Sequence, residues 1–479
     1  MIEVGEMEGK PKEACGVYGM YSRELAGELA QRTYFGLYAL QHRGQESAGI
    51  AVSDGERTLA MRDMGLVSQV FDETRLASLE SGHISLGHVR YSTTGSASWE
   101  NAQPEFHGRG DVNVAVAHNG NLVNADVLRR ELEEEGFEFH STSDTAAIAA
   151  VAVGELERGK GVGEAVRDAM RRLEGAYSVA MIFRDKLVAF RDPHGFRPLS
   201  IGRVEGGYVV SSETCGLDII GAEYVRDVEP GEVVVIDDDG LTSFRAEPAR
   251  RALCSFEYVY FARPDSRFEG REVADSRFKM GEILAEESPV EADVVIPVPD
   301  SGIMAATGYS NASGIPYAEG LIKNRYVGRT FIQPTDGMRQ IGLRLKLNPL
   351  PSVIKDKRVV VIDDSIVRGN TSRKLVSLLH EAGAKEVHFR VSSPPVTGPC
   401  YYGIDMDTKE GLVGANYTVE EIRAQIGATT LAYLSVDGMT RATEQPRGSL
   451  CRACFDGDYP ITGTASKLAL EKVQPVGGK

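Results

Sequence analysis

Apolar and polar positions alternate in distinct ways along the chain, and each change of pattern marks an element or a boundary. The first fourteen residues are acidic and lack an apolar core. At Cys15 the text becomes Cys-Gly-Val-Tyr-Gly-Met-Tyr, which reads as a strand, so the fold is expected to begin there. A helical pattern closes near Leu40, and an apolar strand runs into Arg90. Val112, Val114 and Val116 alternate as a half-buried strand, which places Asn119-Gly120 at a strand end and a turn. Ser141 to Ala146, Ser-Thr-Ser-Asp-Thr-Ala, caps an Ala-rich helix and leaves Asp144 in its first turn. Gly154 to Gly161 imitates a nucleotide P-loop but has Gly161 where Ser or Thr is needed, and it follows a helical pattern; a helix-helix turn is expected. Short strands fill Gly175 to about Phe244, and the polar stretch Arg245 to Arg251 reads as a linker.

Beyond the linker, helix and strand patterns alternate as in a doubly wound parallel sheet. Asp293 to Gly302, Asp-Val-Val-Ile-Pro-Val-Pro-Asp-Ser-Gly, is a strand running into a turn. Val359 to Ile362 is a continuous apolar run, as in a parallel strand buried on both faces, and it stops at Asp363 and Asp364. After Arg368 and Gly369, the residues Leu375, Val376, Leu378, Leu379 and Ala382 fall at helical spacing until Gly383. The amides of Gly369, Asn370, Thr371 and Ser372 therefore lie at a helix N-terminus. Such an end suits a phosphate, and two carboxylates beside it suit vicinal hydroxyls or a magnesium ion on a diphosphate.

Composition narrows the class. A chain of 479 residues with 42% hydrophobic and 25% charged residues is long enough for two or three globular domains. Net charge of −16 and a pI near 5.2 argue against nucleic acid as the main partner. No apolar run approaches the ~20 residues of a membrane span, and the lead is no secretory signal, so a cytoplasmic protein is expected. Against this acidity, Lys323 to Lys346 holds six basic residues and one acid, Asp336, a reversal that suits a lid closing over an anion.

Six cysteines, at 15, 215, 254, 400, 451 and 454, are too few and too scattered for a disulfide framework. Cys215 is assigned a structural role. Cys254, Cys400, Cys451 and Cys454 suit zinc or an iron-sulfur cluster, and spacing does not choose between them. Cys15, heading a domain, has a particular use if the preceding peptide is cut: its freed α-amino group, with a pKa of ~8, becomes the base for its own thiol.

Three stretches join Cys15: Leu-Gln-His-Arg-Gly-Gln-Glu-Ser-Ala-Gly with Arg43, His-Val-Arg-Tyr-Ser-Thr-Thr-Gly with Arg90, and Ala-His-Asn-Gly-Asn-Leu with Asn119 and Gly120. With Asp144 they resemble the glutaminase domain of the N-terminal nucleophile amidotransferases, a layered αββα fold. The resemblance implies that Cys15 attacks glutamine, Asn119 and Gly120 form the oxyanion hole, Arg90 and Asp144 hold the glutamine carboxylate and amine, and Arg43 lies close to the nucleophile. The stretch Val359 to Ser372 resembles the phosphoribosyl diphosphate (PRPP) loop of type I phosphoribosyltransferases, departing at Asn370, where the family pattern has Thr; a backbone amide survives that exchange.

From Cys15 to about Pro460 the two halves together resemble the glutamine phosphoribosylpyrophosphate amidotransferases, in their iron-sulfur-containing subgroup. That implies a propeptide at 1–14, a glutaminase domain at 15–245, a phosphoribosyltransferase domain with a cluster-binding segment at 246–460, and a tail at 461–479. It also implies one Mg2+ per subunit at Ser301, Asp363 and Asp364, PRPP contacts from Asp363, Asp364 and Arg368 to Ser372, and a [4Fe-4S] cluster on Cys254, Cys400, Cys451 and Cys454. The expected product is 5-phosphoribosylamine for purine synthesis, from glutamine and PRPP, with inhibition by purine nucleotides and a homo-oligomeric state. A sugar-phosphate aminating amidotransferase would have no use for Val359 to Ser372. A PRPP-sensing regulator would have no use for Cys15.

Overall fold

The computed structural model describes residues 15–79, 81–91, 98–246, 249–324, 347–406 and 408–461. The lead expected as a propeptide, the basic stretch from Arg325 to Lys346 and the tail from residue 462 lie outside them.

Two antiparallel sheets build the first half. One has seven strands in the order Glu223–Asp227, Ser200–Val204, Gly207–Ser211, Gly16–Ser22, Ile84–Arg90, Ser47–Ser53 and Thr58–Met64. The other has six, in the order Gly240–Arg245, Glu232–Asp237, Lys186–Arg191, Gly175–Phe183, Val112–Leu122 and Glu105–Arg109. The period of two along each strand explains the layering. Val17 and Leu86 of one sheet meet Ala115, Ala117 and Ala180 of the other. Tyr18 and Met20 face outward and pack with Leu29 and Leu37 of the helix Leu29–Ala39. Val114, Val116 and Val179 also face outward, against Val151 and Val166 of the helices Asp144–Leu156 and Val162–Ala169. The result is the expected αββα stack.

The second half is a parallel sheet of Val294–Pro297, Arg358–Asp363, Glu386–Val391 and Thr430–Tyr433, in that order. Val295, Val360 and Ile362 pack with Met280, Leu284 and Tyr309 from the helices Val273–Glu287 and Ile303–Ser313. Val359, Val361 and Val387 pack on the opposite face with Leu375, Leu379, Ile422 and Ile426 from the helices Asn370–Glu381 and Val419–Ile426. The continuous apolar run at Val359 is thus divided between two cores, as a doubly wound sheet requires. Far along the chain, Leu450–Cys451 pairs in parallel with Leu253–Cys254, tying the end of the described chain to the domain junction. No helix among the described residues is long and apolar enough to cross a membrane.

Gly154 to Gly161 does span the turn between the helices Asp144–Leu156 and Val162–Ala169. Asn119-Gly120, by contrast, is not at a turn but inside the strand Val112–Leu122, which keeps pairing as far as Leu122 with Gly175. Gly120 makes this possible: it sits at φ +149° opposite Tyr177, where a Cβ would stand 2.0 Å from the Ala176 carbonyl oxygen.

Candidate active sites

Cys15 immediately precedes the central strand Gly16–Ser22 and is 7% exposed. It lines a small cavity with Arg90, Tyr91, Gln103, His118, Gly120, Ser143 and Asp144. Burial pushes its thiol pKa up, with the Tyr91 carbonyl and Arg90 opposing. The thiol donates Sγ–H to that carbonyl, at 3.4 Å. A thiol raised above its ordinary pKa is what the strand presents.

The strand Val112–Leu122 lies in the facing sheet, and Asn119 falls on the same side as Ala115 and Ala117, toward the sheet that begins beside Cys15. Its side-chain amide is fully buried, yet neither its nitrogen nor its oxygen has a hydrogen-bond partner among the described residues. An orphaned buried amide costs about 1–3 kcal/mol, which a developing oxyanion would offset. His118 points to the other face, where its Nδ1 lies 3.6 Å from Asp144 Oδ1. Ser143 caps the helix by accepting from the Thr145 amide at 3.2 Å, so Asp144 begins the first turn as expected. Burial pushes the Asp144 pKa up, but His118, the Leu122 amide at 2.9 Å and Arg90 outweigh it and hold the group below the usual carboxylate range. Asp144 is therefore an anion suited to an ammonium group. Arg90 is 3% exposed, with its Nη1 3.9 Å from Glu46 Oε2.

The strand Arg358–Asp363 ends where the sequence suggests, and the helix Asn370–Glu381 starts after Gly369, whose φ of +75° is open to glycine. Asp363 and Asp364 are 1% and 0% exposed. Asp364 Oδ1 accepts from Ser365 Oγ at 2.6 Å, while Asp364 Oδ2 accepts from Ser301 Oγ. The turn bearing Ser301 is locked in place: a Cβ on Gly302 would stand 2.5 Å from the Ile362 carbonyl oxygen. Thr371 and Ser372 follow Asn370 in the first helical turn, whose amides have no intrahelical acceptor. Arg368 is exposed beside them. The other basic residues of the lid expected after Lys323 lie outside the described residues; Lys323 itself pairs with Asp300 at 2.6 Å.

A glutamine amidotransferase domain matches residues 88–218, and a phosphoribosyl transferase domain matches residues 270–400. Amidophosphoribosyltransferase of Synechococcus elongatus is 54% identical over 477 residues, covering 98% of this chain and 96% of its own. The chain belongs to the amidophosphoribosyltransferase family. The family member of Bacillus subtilis is 47% identical over 466 residues, covering 95% and 96%. A solved structure of glutamine PRPP amidotransferase from B. subtilis, complexed with ADP and GMP, superposes with a TM-score of 0.87 at 47% identity, covering 93% of this chain and 97% of that one. Both halves read from the sequence are borne out as an amidophosphoribosyltransferase pairing of the two enzyme types.

In this member of the amidophosphoribosyltransferase family, Arg43 lies against the backbone of Cys15. Its Nε donates to the Cys15 carbonyl at 3.1 Å, and its other nitrogens are taken by two buried carboxylates. One is Glu213; the other is Glu257, at 2.9 and 2.7 Å. Glu213 also accepts from His42 Nε2 at 2.7 Å, Ser266 Oγ at 2.6 Å and the Arg263 amide at 3.0 Å. Arg43 thus fixes the backbone at Cys15 and joins it to the second half of the chain. Burial pushes the Glu213 pKa up, yet His42 and Arg43 drive it far below the usual carboxylate range.

That lowered pKa sets a sign. Glu213 contributes stability above the unfolded carboxylate pKa of ~4.3 and loses it as pH falls through the folded value. At pH 7 Glu213→Gln should destabilise the chain by about 3–5 kcal/mol, because it leaves Arg43 under-paired in the interior. Urea midpoints measured from pH 7 downward should show the difference shrinking below about pH 4. An undiminished gap in acid would contradict the ionic role.

Four cysteines meet at the family's domain junction. Cys254 pairs with Cys451 across the two short strands, and the Cys454 carbonyl accepts from the Thr397 and Gly398 amides at 2.8 and 3.1 Å. All are free thiols. Burial pushes Cys254 up to about 12, Cys400 upward and Cys451 and Cys454 well above their ordinary value, and the last two also feel the charges of the other cysteines. Among the described residues, no three His, Cys, Asp or Glu are gathered tightly enough to hold one metal ion. Cys215 stands apart, buried 3.8 Å from the Ala39 carbonyl and the Glu213 carboxylate.

Sequence reasoning missed His118, Glu213, Glu257 and Arg277. Arg277 donates to the Tyr258 and Ala262 carbonyls, each at 2.8 Å. Burial pushes its pKa down to about 10 against the charge of Asp364, so it places a cation near the carboxylate pair. Only His118 had a signal, its position beside Asn119.

Proposed function

We propose that the chain converts glutamine and PRPP to 5-phosphoribosylamine, glutamate and diphosphate, the opening step of purine synthesis, using two sites in one chain. Residues 15–245 form the glutaminase and 246–460 the phosphoribosyltransferase. The observation that carries the reading is the orphaned Asn119 amide on the strand facing Cys15, with Gly120 and Asp144 on the same cavity.

Cys15 Sγ attacks the glutamine side-chain amide carbon as its proton passes to the free α-amino group. Asn119 and the Gly120 amide hold the oxyanion, and Arg90 and Asp144 hold the carboxylate and amine. Collapse transfers the proton to the leaving nitrogen, releases ammonia and leaves a thioester on Cys15, which water hydrolyses to glutamate. At the second site, the first-turn amides from Asn370 to Ser372 hold the 5-phosphate and the acidic pair holds the ribose hydroxyls. Ammonia then attacks the ribose C1 as diphosphate leaves.

The donors at Ser301, Asp363 and Asp364 are all oxygens, as Mg2+ prefers, and Mg2+ commonly completes its shell with water and substrate phosphates. Ser301, Asp363 and Asp364 would hold one Mg2+ per subunit, which would supply charge neutralisation for the leaving diphosphate. At the junction three buried thiols and the partly buried Cys400 offer only sulfur as ligand. Four thiolates suit a [4Fe-4S] cluster, and Cys254, Cys400, Cys451 and Cys454 would hold it, tying the C-terminal segment to the junction. The ADP and GMP in the B. subtilis structure support inhibition by purine nucleotides, and a homo-oligomer is part of the same reading.

The mechanism requires residues 1–14 to be removed, which changes the net charge from −16 to −14 by taking away four Glu and two Lys. Intact-mass measurement of fully active enzyme should therefore show Cys15 as the first residue. Met1 on fully active enzyme would refute the α-amino base.

A further inference from the structure

A loop of the second half forms the back wall of the oxyanion hole. Gly403 has a φ of +97°, and a Cβ on it would stand 2.8 Å from the Gly120 carbonyl carbon and 2.9 Å from Gly120 Cα. The two glycine backbones are thus in direct contact, with no space for a side chain on either. Asn121, next to Gly120, donates its Nδ2 to the Tyr401 carbonyl at 3.0 Å. Arg197, 0% exposed, donates its Nη2 to the Gly403 carbonyl at 2.9 Å. Tyr402 stacks on Phe196 with centroids 4.2 Å apart, and its amide donates to Cys400 Sγ at 3.3 Å. Residues 400 to 403 are therefore clamped at the cysteine end and pressed against Gly120 at the other.

We propose that this loop sets the position of the Gly120 N–H donor, with Gly403, Asn121 and Arg197 as positioning residues for glutamine hydrolysis. The inference rests on the reading of Cys15 and Gly120 given above. Gly120 has no side chain to anchor it, and the ladder opposite Tyr177 and the Ala176 carbonyl hold it on one side only. A donor serves an oxyanion only within hydrogen-bond reach of where the charge develops. The Tyr401 and Gly403 backbone supplies the missing restraint. None of the three residues touches the Asp363–Asp364 loop through these contacts, so synthesis from free ammonia should not depend on them.

The test uses the mature full-length enzyme with its metals and the variants Gly403→Ala and Asn121→Ala. Loss of a whole oxyanion donor costs about 10²–10³ in kcat. Displacement by Gly403→Ala should lower the glutamine-dependent kcat by about 10–100-fold and Asn121→Ala by about 3–10-fold, each with KM for glutamine within about twofold. Glutamate γ-semialdehyde adds to the Cys15 thiol as a tetrahedral hemithioacetal, so its affinity should fall by the same factor as kcat, while that of glutamate stays constant. Synthesis from ammonia should be unchanged. Equal losses with glutamine and ammonia, or a kcat loss without loss of aldehyde affinity, would overturn the proposal, as would unchanged kinetics in both variants. If the wild type binds the aldehyde no more tightly than glutamate, the reading of the Cys15 site fails instead.

Discussion

Replacing Cys15 by Ala is expected to lower the glutamine-dependent rate by ~10⁴-fold or more, while synthesis from free ammonia stays within about twofold. The size of the effect follows from the role: no other thiol or hydroxyl in the cavity combines attack with its own α-amino base. Ser143 lines the cavity, but its Oγ is spent on the Thr145 amide. The selectivity follows from the fold. Cys15 belongs to the αββα half, and the change from thiol to methyl removes no hydrogen bond except that to Tyr91. Rates with each nitrogen source, at matched PRPP, make the comparison. Equal loss from both would mean that Cys15 holds the structure together and does not act on glutamine.

The second large effect concerns the acidic pair. Asp363→Asn with Asp364→Asn should abolish PRPP-dependent turnover, by ~10³-fold or more, and leave basal glutaminase. The shapes of the side chains hardly change: one of Ser365 and Ser301 can still donate to the side-chain oxygen at position 364 and the other can turn to accept from its amide, while both negative charges disappear. What is lost is the pair's capacity for a hard cation and for ribose hydroxyls. PRPP binding by calorimetry with Mg2+ checks this: affinity should fall together with turnover, and unchanged affinity would refute the assignment.

How much of this was readable in advance depended on whether neighbours in space were neighbours in sequence. The loop from Asp363 to Ser372 was legible because a strand end, two carboxylates, Gly369 and a helix start follow one another without interruption. The αββα half was legible strand by strand through its period of two, yet the sequence placed Asn119-Gly120 in a turn. A glycine preceded by Asn normally signals one, and only the partner strand with Tyr177 shows that Gly120 continues the ladder. The ion network was not legible at all. Arg43 and Glu257 are 214 positions apart, and each is, in isolation, a charged residue like the 122 Lys, Arg, Asp and Glu in the chain. Burial distinguishes them, and burial is a property of the fold. The same holds for Gly403, whose use appears only when the cysteine loop meets Gly120.

The central claim is that one chain couples glutamine hydrolysis to the use of PRPP. Glutamate release from glutamine by anaerobically purified enzyme, with and without PRPP and Mg2+, tests it most directly. Stimulation by PRPP, absent in Cys15→Ala, is the predicted result. Release at the same rate whether or not PRPP is present would contradict it.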